Sequence, residues 1–133
     1  MKDSTSLDHY VQPIDLSGVP AREYRDREEK LRGELAKREV DVGFAFGNEL
    51  FPGDTGWLTA YDPQIEPTAV AVGPAKTLLI GGPEGEAYAA ESMKLGEFRN
   101  VTEFKIPEED YPGYEFVALD SVLEEACGRR PRR

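Results

Sequence analysis

The chain holds one cysteine and one histidine in 133 residues. Cys127 cannot form an internal disulfide, which fits a reducing compartment. It follows a predicted helix and lacks a histidine to activate it, so it reads as a plain semi-buried thiol. His9 has no second histidine or cysteine at ligand spacing, so no zinc-type site is expected. No nucleophile elbow accompanies it, which argues against a Ser-His-Asp hydrolase. Long apolar runs are missing too. None approaches the ~18–20 residues needed to cross a bilayer. The opening Met1-Lys2-Asp3-Ser4-Thr5-Ser6 lacks the apolar stretch of a signal peptide. A cytoplasmic protein with no membrane partner is expected.

Positive charge is scarce outside two places. Sixteen Lys and Arg stand against 26 Asp and Glu, a formal net of −10. Residues 22–39 hold seven basic and six acidic side chains, and four of the last five residues are Arg. Between 40 and 128 only Lys76, Lys94, Arg99 and Lys105 oppose seventeen acidic residues. Such a body repels phosphate backbones, so no nucleic-acid partner is expected. Hydrophobic residues at 39% and charged residues at 32% are an ordinary globular composition. The length suits one domain.

Residues 1–19 form a leader punctuated by Pro13 and Gly18, with sparse apolar anchors. From 20 to 37 the chain reads as a helix opened by Pro20. Tyr24, Leu31 and Leu35 fall on one stripe. Pairs such as Glu23–Arg27, Glu28–Arg32 and Glu34–Arg38 imply a solvated charged face. Residues 40–46 look like a buried strand in which Val42, Phe44 and Phe46 alternate with small residues. Strands over 68–72 and 77–80 flank a Gly73-Pro74-Ala75-Lys76 turn. A helix over 84–95 with Ala87, Tyr88, Ala90 and Leu95 as contacts comes next, then a strand over 101–106. An acidic loop over 107–115 and a short extended piece over 116–118 follow. A final helix opens at Ser121 with Glu124 completing a capping box. Leu119, Val122, Leu123 and Ala126 form its apolar face, and Gly128 stops it. The order predicts an α/β fold: a three-layer-like sandwich of a mixed sheet flanked by helices. Phe44, Phe46, Val70 and Leu79 are the expected core.

Two loops look chemical and fail on inspection. Gly81-Gly82-Pro83-Glu84-Gly85-Glu86 lies between a strand and a helix, as phosphate loops do. Pro83 removes a donor, and Glu84 and Glu86 would repel an anion. Glu108, Glu109 and Asp110 are adjacent and fan apart, which suits solvation. Residues 48–63 are more informative. Phe51, Trp57 and Tyr61 alternate there with turn formers. The stretch is too rich in Gly and Pro for a continuous helix and too aromatic for a free linker. It is either a structural cover over the sheet edge or a loop shaped for a partner.

The run Glu23-Tyr24-Arg25-Asp26-Arg27-Glu28-Glu29-Lys30-Leu31-Arg32 leads into Val40-Asp41-Val42-Gly43-Phe44-Ala45-Phe46 and Gly47-Asn48. Trp57-Leu58-Thr59-Ala60-Tyr61, Ala69-Val70-Ala71-Val72 and Thr77-Leu78-Leu79-Ile80 follow in order. This series resembles the N-terminal domain of creatinase, prolidase and Xaa-Pro aminopeptidases, the pita-bread metallohydrolases. Trp57 stands where that family often has Tyr, Ala60 where it often has Gly, and the 49–56 insertion is longer than usual. The resemblance implies a ribonuclease H-like domain over 20–127, with 128–133 a basic linker towards a C-terminal catalytic domain outside this chain. It implies no catalytic or metal residues here. Two divalent metal ions would belong to that catalytic domain. It further implies a homodimer in which this domain contacts the catalytic domain of its own or the neighbouring subunit and walls the active-site entrance. Asn48, Asp54, Trp57, Tyr61 and Asp62 are the candidate entrance or partner contacts, with Asp54, Tyr61 and Asp62 expected to reach outward. The alternative is a stand-alone small-ligand or protein-binding domain that uses the aromatic 51–61 segment.

Overall fold

A computed structural model describes residues 18–133. The expected leader, apart from Gly18 and Val19, lies outside the described residues, and so does His9. The elements are α1 (Ala21–Lys37), β1 (Gly43–Gly47), α2 (Gly53–Thr59), β2 (Thr68–Val72), β3 (Thr77–Gly81), α3 (Pro83–Ser92), β4 (Glu97–Asn100) and α4 (Leu119–Cys127). The chain is α/β, and its four strands form one mixed sheet in the order β1-β2-β3-β4. β1, β2 and β3 pair antiparallel, β2 and β3 through a short turn and β1 and β2 across the segment that holds α2, while α3 carries the chain back to lay β4 parallel to β3.

Every residue of β2 and β3 is buried. One face of this hairpin carries Ala69, Ala71, Leu78 and Ile80, which pack with Val101, Phe104 and the α4 residues Val122 and Ala126. The other carries Val70, Val72 and Leu79, packed with Leu58, Tyr61, Ala89 and the flanking Leu31 and Leu35 of α1. Helices therefore cover both faces, as a doubly apolar hairpin requires.

Several expectations need correction. Phe44 and Phe46 are not central core: they are 48% and 54% exposed. They stand opposite Ala71 and Ala69, so they share α4's face of the sheet. β1 is the edge strand, and α4 sits over β2 and β3. The expected strand over 101–106 is instead β4, four residues earlier, followed by a 3-10 turn at Thr102–Phe104. That turn puts Val101 and Phe104 on one side, since residues three apart eclipse in this geometry. α3 buries Gly85 and Ala89, and leaves Ala87, Tyr88 and Ala90 exposed. α4 starts at Leu119 with Ala118 at its N-cap, so Ser121 caps nothing. The amide of Ser121 donates to Asp120 Oδ1 at 2.8 Å instead.

The charged run on α1 is not wholly solvated either. Glu28 is buried, accepts from Thr77 Oγ1 and pairs with Arg32 at 2.7 Å. Arg32 also donates to the Gly73 carbonyl at 2.8 Å. These contacts fasten α1 to the β2–β3 turn. On the opposite side the amides of Ala75 and Lys76 donate to the Ala126 carbonyl at the end of α4. A Cβ at Gly73 would overlap that carbonyl, so only glycine fits there.

Glu125 of α4 accepts from Arg99 of β4 at 2.6 Å and from Lys76 at 3.0 Å. The bonds from Arg99 and Lys76 hold its carboxyl well below the usual range, at about 2. A folded carboxyl held this low stabilises the fold above its unfolded value of 4.5. That stability is lost as pH falls from 4.5 towards 2. Glu125→Gln should cost about 1 kcal/mol near neutral pH and flatten the acid limb of stability over that window. Urea titrations at stepped pH measure both effects. Leu79→Ala should cost about 2–5 kcal/mol, and Phe44→Ala less than half as much because its ring is half in water. Equal midpoint shifts for the two would contradict the assignment of β1 to an edge.

Candidate functional site

The segment over 48–62 begins with a turn built by Asn48. Its Oδ1 accepts from the amides of Leu50 and Phe51 at 3.0 and 2.9 Å. This is the local bonding that Asn side chains favour in turns. The segment then forms α2, a helix not expected from its Gly and Pro content. Burial of one face compensates, and its hydroxyls are satisfied locally: Thr55 Oγ1 donates to the Pro52 carbonyl at 3.1 Å, and Thr59 Oγ1 to the Thr55 carbonyl at 2.7 Å. Thr55, Leu58 and Thr59 form the buried face. Gly47 lets that face close on β1, since a Cβ there would stand 2.7 Å from Thr55 Oγ1.

Ala60 ends α2 in the left-handed conformation, with φ 69°, its amide donating to the Gly56 carbonyl at 2.9 Å. Glycine is the usual residue at such a helix stop.

Arg27 of α1 organises the outer side. Its guanidinium lies 4.9 Å from the Tyr24 ring centre and 5.1 Å from that of Trp57. It donates to the Trp57 carbonyl at 2.8 Å and to Glu23 at 3.3 Å. Each cation–π contact of this kind contributes about 0.5–1 kcal/mol at an exposed site. α1 and α2 then flank a groove of about 380 Å³, lined by Val19, Tyr24, Arg27, Gly56, Trp57 and Asp62 among others.

Of the five expected contact residues, the groove brings Trp57 and Asp62 together. Asp54 is exposed on the first turn of α2, and Asn48 is committed to its turn. Tyr61 does not reach outward. It is 1% exposed and packs with Val70, Leu79 and Ala89 under the sheet's helical cover. Burial, with Glu66 and Asp62 adding to it, pushes its phenol up to about 12, so it stays neutral across the physiological range. Sequence reasoning did not find Arg27 as an aromatic clamp. The signal was present: Tyr24 and Arg27 are three apart on α1.

Glu66 was also missed. It is buried and accepts from the amides of Gly85 at 3.0 Å and Ile106 at 3.3 Å. A carboxylate at the start of α3 meets the positive end of that helix. A Cβ on Gly82 would stand 2.5 Å from its oxygens, so the Gly81-Gly82-Pro83 turn houses the protein's own carboxylate.

Among the described residues, no group of three His, Cys, Asp or Glu side chains could hold a metal ion. No helix of the described residues is long and apolar enough to cross a membrane. No protein-family model matches the chain, and neither does any curated protein.

Ala60→Gly should stabilise the fold by about 0.5–1 kcal/mol by relieving the left-handed strain at the helix stop. The check is a higher denaturant midpoint at unchanged slope.

Proposed function

We propose that the chain is a non-catalytic, partner-binding domain of the creatinase/prolidase N-terminal type, with a ribonuclease H-like fold. On this reading it belongs to a metal-dependent hydrolase, of the Xaa-Pro peptidase or creatinase kind. It contributes to a homodimer and shapes the active-site entrance, and the two metal ions reside in the catalytic domain. One observation carries the partner-binding part. Leu50, Phe51, Trp57 and Ile65, all within or just beyond the 48–62 segment, each expose half or more of their surface. Isolated exposed apolar residues are ordinary, but four in sixteen positions mark a surface that something covers. The order of helix, edge strand, α2, hairpin, helix and strand supports the family part.

The same groove also supports the second reading, a stand-alone small-ligand domain. Trp57 offers an aromatic wall and Asp62 a carboxylate at its rim.

The test uses Asp54→Ala and Trp57→Ala in a full-length protein that carries this chain. Both should leave the melting temperature within a few degrees, since the side chains are exposed. Both should raise the Michaelis constant or weaken the dimer. Wild-type kinetics and dimer affinity in both would make the segment only a structural cover. Tyr61→Phe is a poor probe, because a buried phenol changes packing and binding together.

A further inference from the structure

The two edges of the sheet are finished differently. β4 is four residues long, carries Glu97 and Arg99, and passes directly into a bridge between Val101 and Val117. These are the usual protections of an edge: brevity, charge and cover. β1 is nearly as short but has neither the charge nor the cover. Its sequence is Gly43-Phe44-Ala45-Phe46-Gly47, with no charge, no proline and no bulge in its pairing to β2. Among the described residues nothing pairs with its outer edge.

The strand is also a palindrome. We propose that β1 pairs antiparallel with β1 of a second copy, centred on Ala45, so that two four-stranded sheets continue into one. In that register Gly43 meets Gly47, Phe44 meets Phe46, and Ala45 meets Ala45. Residues directly opposite project to the same face, with Cβ atoms about 4.5–5.5 Å apart. The half-exposed Phe44 and Phe46 of both copies therefore form one aromatic cluster on α4's side of the joined sheet. Phe44 already lines a groove of about 340 Å³ with Val42, Leu119, Leu123 and Pro131. Phe46 of the second copy lands beside it.

Charge selects the second copy as the occupant. Arg133 sits at one end of β1, where its carbonyl accepts from the amides of Asp41 and Val42. Arg132 is fixed beside it, its amide donating to Asp41 Oδ2 at 2.6 Å. Exposed Glu49 lies just past the other end. Antiparallel pairing sets position 41 against position 49; the Asp41 carboxylate is already paired with Arg129, so the flanking Arg132 and Arg133 leave that end net positive where it meets Glu49 of the other copy. Two-fold symmetry makes this contact twice. A parallel arrangement would put like charges together at both ends. The inference needs only the edge strand and stands apart from the metallohydrolase reading.

Sedimentation velocity over a concentration series, on the full 133-residue chain, tests it. A monomer–dimer equilibrium is expected. Phe44→Lys and Phe46→Lys should abolish the dimer while thermal melting shows that the fold is kept. Glu49→Arg should weaken it about tenfold through two symmetric rim contacts. Combining Glu49→Arg with Arg132→Glu and Arg133→Glu should restore it. Ala45→Cys should give a disulfide-linked dimer on mild oxidation, where Leu50→Cys and the wild type with its buried Cys127 should not. A monomer at every concentration overturns the proposal. A dimer that survives both Phe→Lys variants, or is lost with Trp57→Ala instead, also overturns it. So does a dimer in which Ala45→Cys fails to crosslink.

Discussion

The whole architecture follows from one constraint: no strand residue of the β2–β3 hairpin faces water. Its ten strand positions are buried, seven of them Val, Leu, Ile or Thr, and its faces differ only in what covers them. A hairpin of this kind cannot be the outer layer of anything. It forces a helical layer on each side, α1 to α3 against one and α4 against the other. It also forces β1 and β4 to the edges, because the antiparallel partners are already in place. Burying the side chains of such a hairpin contributes roughly 1.5–3 kcal/mol for each large apolar residue.

The polar contacts then fix where the layers sit. The buried Glu28–Arg32 pair reaches the Thr77 hydroxyl and the Gly73 carbonyl, and so ties α1 to the hairpin turn. The same turn receives α4 from the other side through the Ala126 carbonyl. The β2–β3 turn is thus the point where the two helical layers are registered against each other. Glycine at 73 is what allows the backbone of α4 to approach.

Most of the layering was legible in the sequence, because the hairpin and α1 carry strong, unbroken patterns. The failures fall where two meanings share one pattern. Phe44 and Phe46 alternate with small residues, and alternation alone cannot say whether the apolar face is covered. Only the distance of α4 from the edge strand decides that. Val101 and Phe104 fit a strand or a single 3-10 turn, and the turn won because Val101 closes β4. In α2, burial of Thr55, Leu58 and Thr59 overrides poor helix propensity, and such tertiary packing leaves no mark on the local period. At the candidate site, Trp57 and Asp62 were found because aromatic and acidic residues in a loop are conspicuous. Tyr61 was misplaced because its position after a left-handed residue turns it inward, and Ala60 gives no sign of that in sequence. Arg27 was hidden among the charged residues of α1.

The distribution of charge ties these points together. α4 spends its one inward-reaching acid, Glu125, on Arg99 and Lys76, and so closes the β4 side of the sheet with an ion-pair network. Nothing equivalent exists at β1 among the described residues. There the strand is neutral, and the nearest charges in sequence, Asp41 with the arginines bound to it and Glu49, lie beyond its two ends rather than along it. A neutral edge with half-exposed aromatics is an aggregation hazard unless something specific covers it. The 48–62 segment separately presents Leu50, Phe51 and Trp57 to solvent. An acidic body keeps chains apart at random encounters, while the two apolar surfaces remain open to a partner that matches them in shape and charge. Repulsion over most of the surface and complementarity at one edge together favour a single defined assembly over indiscriminate association.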